Sequence, residues 1–183
     1  MATTTLVTAA DLEQMPDDGY RYDLLRGVLT KMPPPGTLHL VVSGRLISYL
    51  NHYLEAHDLG SAGGEGGFIF EEDPDTVLGP DLAVIPIAEF PNIPARGYTR
   101  FAPPLVAEVL SPTNRPTEIE EKVQVYLRAG VRLVWVVDPS RRTIQVRTPH
   151  GDGPLLTEAD ELTGGDVYPE FRVAVAQLFR WLV

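Results

Sequence analysis

Two strongly apolar stretches, Leu105–Leu110 and Val131–Val137, flank a segment with helical periodicity, and this pattern constrains the fold more than any other in the chain. Ser111-Pro112-Thr113 interrupts the first stretch. Thr117 with Glu120 three residues later has the spacing of a capping box, Ile119, Val123, Tyr126 and Leu127 recur at helical steps, and Gly130 marks the end. Strand, helix and strand in this order predict a right-handed crossover whose two strands run parallel. Inside the first strand stands Glu108. An ionised carboxylate in a strand otherwise apolar throughout is costly unless something pairs with it, and a metal ion or an arginine would be such a partner.

The remaining elements fit around that unit. Thr8 and Asp11 predict a capped helix running to Met15, ended by Pro16-Asp17-Asp18-Gly19. Tyr20–Leu25 and Val28–Met32 read as a hairpin around Arg26-Gly27, and Pro33-Pro34-Pro35-Gly36 closes it. From Thr37 to His57 the residues Leu38, Val41, Val42, Leu46, Tyr49, Leu50, Tyr53 and Leu54 give a core-facing helix. The glycines between Ser61 and Gly67 have neither the GxGxxG nor the GxxxxGK[ST] spacing of a phosphate loop. Phe68–Glu71 is expected to pair with Asp81–Pro86 across a turn, Glu72–Gly79. Pro86–Pro104 reads as a surface excursion in which Arg96, Tyr98 and Arg100 supply cation and aromatic character that could touch a substrate. A strand over Thr143–Arg147, a loop at His150–Gly153, a short strand near Leu155, a polar connection to Gly165 and a terminal helix near Val175–Trp181 complete the chain. The class expected is α/β with α+β character, a mixed sheet flanked by helices in one domain over residues 1–183.

Composition narrows the chemistry. The absence of cysteine removes disulfides, thiol nucleophiles and Cys-ligated zinc. His39, His52, His57 and His150 show no HxxxH or HExxH arrangement, and Ser111 lacks a GxSxG elbow, so a zinc protease and a serine hydrolase are both unsupported. A net charge of -10 argues against a broad basic face for nucleic acid, although carboxylates that hold a metal contribute to such a charge. Only Lys31 and Lys122 are lysines among 15 basic residues. Met1–Asp11 lacks the regions of a signal peptide, and no apolar run approaches the ~18 residues of a membrane span, so a cytoplasmic protein with no membrane partner is expected.

Several motifs in order resemble one family. Pro80-Asp81, then Val106-Ala107-Glu108-Val109-Leu110-Ser111-Pro112, then Lys122 with Tyr126, Ala129-Gly130-Val131 and Trp135-Val136-Val137-Asp138-Pro139 are similar to the Uma-type "putative restriction endonuclease" family of the PD-(D/E)XK nuclease superfamily. Tyr22-Asp23-Leu24-Leu25-Arg26-Gly27, the prolines after it and His39 resemble the start of that family, and Pro169–Phe179 its end. The resemblance implies a restriction-endonuclease-like fold and an endonuclease that hydrolyses DNA with Mg²⁺ or Mn²⁺. Asp81 and Glu108 would be its metal-binding acids, with Asp23 as a third candidate ligand where the family commonly has Glu. The position two after Glu108 is Leu110 rather than Lys, and Lys122 on the following helix matches the lysine that the family supplies from there. A homodimer, using the Pro86–Pro104 excursion, is expected from the habit of restriction-type folds to cut one strand per subunit.

Each residue also has a plainer reading. Asp81 after Pro80 suits a turn that opens a strand, Glu108 suits an arginine pair, Lys122 suits an exposed pair with Glu118 four residues earlier, and His39 suits a helix cap or the surface. A rival to the enzyme is a catalytically inactive module that binds nucleic acid or a partner on the same fold.

Overall fold

The computed structural model describes residues 6–182, so the part of the N-terminal reading that falls on Met1–Thr5 lies outside the described residues. The elements are α1 (Ala9–Glu13), β1 (Arg21–Leu25), β2 (Val28–Met32), α2 (Thr37–Ala56), β3 (Gly60–Gly63), β4 (Phe68–Glu71), β5 (Thr76–Leu78), β6 (Leu82–Pro86), a 3₁₀ segment (Ile87–Asn92), β7 (Leu105–Val109), α3 (Pro116–Arg128), β8 (Leu133–Asp138), β9 (Thr143–Thr148), β10 (Gly151–Leu156), β11 (Glu161–Gly164), β12 (Tyr168–Ala174) and α4 (Val175–Leu178). Six strands form a sheet in the order β10-β9-β8-β7-β6-β3, mixed because β7 and β8 are parallel while the other pairs are antiparallel. A second, antiparallel sheet has the order β2-β1-β5-β4, and β11 pairs with β12.

The crossover forms as the apolar pattern requires. Leu105, Ala107 and Val109 point to the side of α2, with Leu46, Leu50 and Trp135, while Val106 points to the side of α3, with Val123, Tyr126 and Val134. Alternation therefore sends Glu108 to the α3 side. The end of α3 is locked: Val131 N–H donates to Tyr126 O at 3.0 Å and Gly130 N–H to Leu127 O at 3.2 Å, with Gly130 at φ 102° as such a cap demands.

Six local expectations need correction. The cap of helix α3 is Arg115 rather than Thr117, and it is Glu118, not Glu120, whose carboxylate accepts the cap N–H, at 3.4 Å, because proline fits the first helical position at Pro116. Phe68–Glu71 does not pair with Asp81–Pro86. It pairs instead with Thr76–Leu78, a buried strand within the segment expected to be a turn, and β6 lies between β3 and β7. The loop expected at His150–Gly153 gives way at Gly151 to β10, which pairs with β9. The glycine-rich segment supplies β3 along the edge of the sheet, and beyond it a Cβ on Gly64 would come within 2.8 Å of Asp81 O. Leu38 and Tyr49 of α2 are exposed, since its buried stripe runs through His39, Val42, Ser43, Leu46, Leu50 and Leu54. Finally, the polar stretch before the terminal helix holds the β11–β12 hairpin, and that helix is a single turn ending at Leu178.

Candidate active site

At one end of β6 and β7 the ladder stops after two pairs, Leu82 with Ala107 and Ala83 with Val106. The same antiparallel register, carried one residue further, sets Asp81 opposite Glu108 on the α3 side of the sheet. Two local choices open the strands there. The Pro80 carbonyl accepts from Glu65 N–H at 3.1 Å, and the Val109 N–H is met by the Asp81 side chain, whose Oδ2 accepts it at 2.8 Å. The backbone loses no partner, and one carboxylate oxygen of Asp81 is fixed in place.

The cleft that results has a volume of about 250 Å³ and is lined by Arg21, Asp23, His39, Asp81, Glu108 and Lys122, together with Pro33–Gly36 and Ser111–Asn114. His39, in the first turn of α2, brings Nε2 to 2.9 Å from Asp81 Oδ2. Arg21 Nη1 lies 3.5 Å from Asp81 Oδ1, and its Nη2 donates to Gly79 O at 2.8 Å. On α3, Lys122 Nζ lies 2.6 Å from Asp23 Oδ2 and 3.8 Å from Glu108 Oε2. One helical turn later the Tyr126 hydroxyl donates to Glu108 Oε1.

Lys122 is therefore not the exposed partner of Glu118; its side chain is turned inward and 13% exposed. Glu108 pairs with no arginine, and His39 is buried against Asp81 instead of sitting on the surface. Arg96, Tyr98 and Arg100 are absent from the cleft: the Tyr98 ring covers Gly67, and Arg100 pairs with Glu72.

Burial pushes the Glu108 carboxyl up to about 7, with Lys122 opposing, Asp81 and Asp23 adding to the rise and the Tyr126 hydroxyl opposing it. Burial acts on Asp81 in the same direction, but His39, the Val109 N–H and Arg21 outweigh it and hold this carboxyl below its ordinary value. Lys122 is raised: burial would lower it, and the negative charges of Glu108 and Asp23 prevail. Two opposed carboxylates thus differ in their ease of ionisation, the arrangement by which one site serves different proton states.

Among the described residues no three His, Asp or Glu side chains converge as a ready-made metal cage. Asp23 is instead engaged by Lys122. A small hard cation needs less than a cage, since Mg²⁺ commonly takes one or two carboxylates, keeps waters and accepts a substrate phosphate. Asp81 and Glu108 fit that requirement: both supply hard oxygen, both line the cleft, and a cation beside Glu108 would offset the burial of its charge.

A reading of the sequence gives no site role to Tyr126 or Arg21, and it places His39 only among the residues that resemble the family's start. Tyr126 looks like a core residue, and its only signal is its place four residues after Lys122 on one helix face. Arg21 could be found from its position two before Asp23, on the same face of a strand. No local signal links His39 to Asp81.

Comparison with known proteins agrees with this architecture. The sequence model of the Uma2 family, described as "Putative restriction endonuclease", matches residues 9–176. A crystal structure described as "a putative nuclease belonging to DUF820", from Anabaena variabilis ATCC 29413, superposes with a TM-score of 0.83 over 97% of this chain and 99% of that one, at 20% sequence identity. At that identity the likeness speaks for the fold. No curated protein matches the chain.

Proposed function

The chain belongs to the Uma2 family of restriction-endonuclease-type proteins, and we propose that it is a divalent-metal endonuclease that hydrolyses DNA phosphodiester bonds with Mg²⁺ or Mn²⁺. The observation that carries this reading is the opposition of Asp81 and Glu108 in one cleft with the Lys122 ammonium against Glu108. Asp81 and Glu108 would hold the ion, which when bound polarises the phosphodiester and makes water acidic enough to attack near neutral pH.

The other groups act through charge and position. Lys122 directs a compact ammonium at the reacting centre, where it orients the attacking water or offsets the charge that develops on phosphate. Asp23, at 2.6 Å, anchors that ammonium, and we assign it to Lys122 rather than to the ion. Arg21 is partly exposed at the Asp81 side of the cleft and is suited to meet an incoming phosphate. We include action as a homodimer in the cytoplasm. Ile87, Phe90 and Ile93 follow one another at three-residue steps in and just after the 3₁₀ segment, all exposed, and offer an apolar ridge for pairing.

Cleavage of supercoiled plasmid with and without Mg²⁺ or Mn²⁺, by this protein and by Asp81→Asn, tests the reading. Metal-dependent cutting that falls by about 10³-fold or more in the variant is expected, with linear product early in the reaction if subunits cut in pairs. Binding of DNA without any cleavage would reject the enzyme in favour of a binding module on the same fold.

A further inference from the structure

We propose that Tyr126 is a positioning residue that restricts Glu108 to a single metal-facing oxygen, and that this tunes the site toward small octahedral ions and against Ca²⁺. The inference rests on the metal-site reading given above.

Tyr126 and Lys122 stand four residues apart on α3 and address the two oxygens of Glu108 separately. The hydroxyl donates to Oε1, and the ammonium lies 3.8 Å from Oε2. Tyr126 is fully buried, and its ring packs edge-on against Phe70 with centroids 4.9 Å apart. Its own carbonyl is tied into the end of α3 by the Val131 N–H. Full burial, the ring contact and the tied helix end together hold the hydroxyl at Glu108. In a dry surrounding, breaking this bond would strand a donor and a charged acceptor together, so Oε1 stays committed to the phenol.

Asp81 is constrained in the same way, with Oδ2 engaged by Val109 N–H and His39 Nε2. Each acid is left with one oxygen that accepts no hydrogen bond among the described residues, Asp81 Oδ1 with Arg21 Nη1 at 3.5 Å and Glu108 Oε2 with Lys122 Nζ at 3.8 Å. Two one-oxygen ligands suit Mg²⁺, which demands an octahedron and retains waters, whereas Ca²⁺ takes six to eight oxygens and exploits bidentate carboxylates. Tyr126→Phe keeps the ring and its packing but frees Oε1 for a second bond to a larger ion.

The test uses the metals alone, without nucleic acid: Mn²⁺ binding followed by electron paramagnetic resonance and competed by Mg²⁺ or by Ca²⁺, with thermal unfolding as the check on folding. In the unaltered protein Ca²⁺ should displace Mn²⁺ no better than Mg²⁺ does. In Tyr126→Phe, Mn²⁺ should bind about 10-fold more weakly, the scale of losing a group that orients a ligand, and Ca²⁺ should gain about 10-fold on Mg²⁺ as competitor. Unchanged Mn²⁺ affinity and an unchanged ratio in the folded variant would overturn the role of Tyr126 while leaving the metal site intact. Should the variant not fold, the unaltered protein still decides, because a 10-fold advantage of Ca²⁺ there is incompatible with the proposal. Failure of the unaltered protein to bind any of the three ions would remove the metal site itself, and this inference with it.

Discussion

Two ion-pair clusters hang from the same helix, two residues apart, and their surroundings drive them in opposite directions: hydrogen bonds prevail in one and burial in the other. On the outer side of α3, Glu120 accepts both terminal nitrogens of Arg147 at 2.8 Å, accepts from Gln124 at 2.8 Å, and shares Arg147 with Asp152. On the inner side, Lys122 faces Asp23 and Glu108 in a cleft that also holds Asp81. The outer carboxyl is held down to about 2, by Arg147 first and then Gln124, and the inner one is pushed up to about 7 by burial. In the outer cluster Glu120 and Asp152 share Arg147, and exposure to water screens the charge left over. The inner cluster gathers three acids, of which Glu108 is the most deeply buried and has, among the described residues, only Lys122, shared with Asp23, as its cationic neighbour, while Arg21 and His39 serve Asp81. This costs the fold and leaves room for a positive ligand. A functional reading belongs where the electrostatics are unfinished, and the same helix provides its own control.

The largest effect expected from that contrast concerns Lys122. Lys122→Arg retains a positive charge for Asp23 and Glu108 and so should fold, but a planar, wider guanidinium cannot occupy the place of a compact ammonium. Metal-dependent cleavage should fall by about 10²-fold in Lys122→Arg, while Glu120→Gln two residues away should cleave as the unaltered protein does. Equal rates for all three proteins in a plasmid assay would break the comparison. Lys122→Ala is a poorer probe, because it strands two buried acids at a cost of about 3–5 kcal/mol and confuses chemistry with folding.

A smaller effect is written in the pH dependence of stability. The folded value of Glu108, about 7, lies above its ordinary value of 4.5. The unfolded chain therefore releases this proton first as pH rises. The stabilisation that Glu108 provides is fully present below about 4.5 and is lost as pH rises through about 7, on the order of 3 kcal/mol for a shift of this size. Denaturant unfolding without divalent ions should show stability declining between pH 5 and pH 8, and Glu108→Gln should flatten the decline. A slope that is the same in both proteins would place the titrating group elsewhere.

How much of this the sequence discloses depends on how far each signal travels along the chain. The crossover from Leu105 to Val137 is legible because its apolar runs and its closing glycine are local, and Glu108 stands out within it because a carboxylate among Val106, Ala107 and Val109 has no apolar explanation. The pairing of β4 is not legible, since Thr76–Leu78 is three residues long inside a stretch with the composition of a turn. Strand β12 is hidden by Glu170 and Arg172, polar residues that alternate with Phe171 and Val173 as an edge-exposed strand requires. In the site, Lys122 is visible as a rare lysine, but its true partner, Asp23, is separated from it by most of the chain, whereas the tempting partner Glu118 is one turn away. Local electrostatics point to a surface pair, whereas tertiary packing turns the side chain inward.

The smallest effect belongs to the outer cluster, and it has the opposite sign in pH. Glu120 has a folded value near 2, below its ordinary 4.5, so its pairing with Arg147 stabilises the protein above about pH 4.5 and is lost as pH falls through about 2. The size of the shift overstates the stabilisation, because the Glu120 side chain is 47% exposed and water screens the pair. Exposed pairs contribute about 0.2–1 kcal/mol, and the two-pronged geometry with Arg147 sets Glu120 toward the upper end of that range. Glu120→Gln keeps the hydrogen-bonding shape and removes the charge. It should lower stability at pH 7 by no more than about 1 kcal/mol in denaturant unfolding, with the difference vanishing near pH 2 and shrinking in high salt. The inner cluster should respond less to salt, since it is shielded from the solvent ions that weaken the outer one. A Glu120→Gln loss of several kcal/mol that ignores salt would mean that the outer pair is held as tightly as the inner, and that burial is not what separates the two sides of α3.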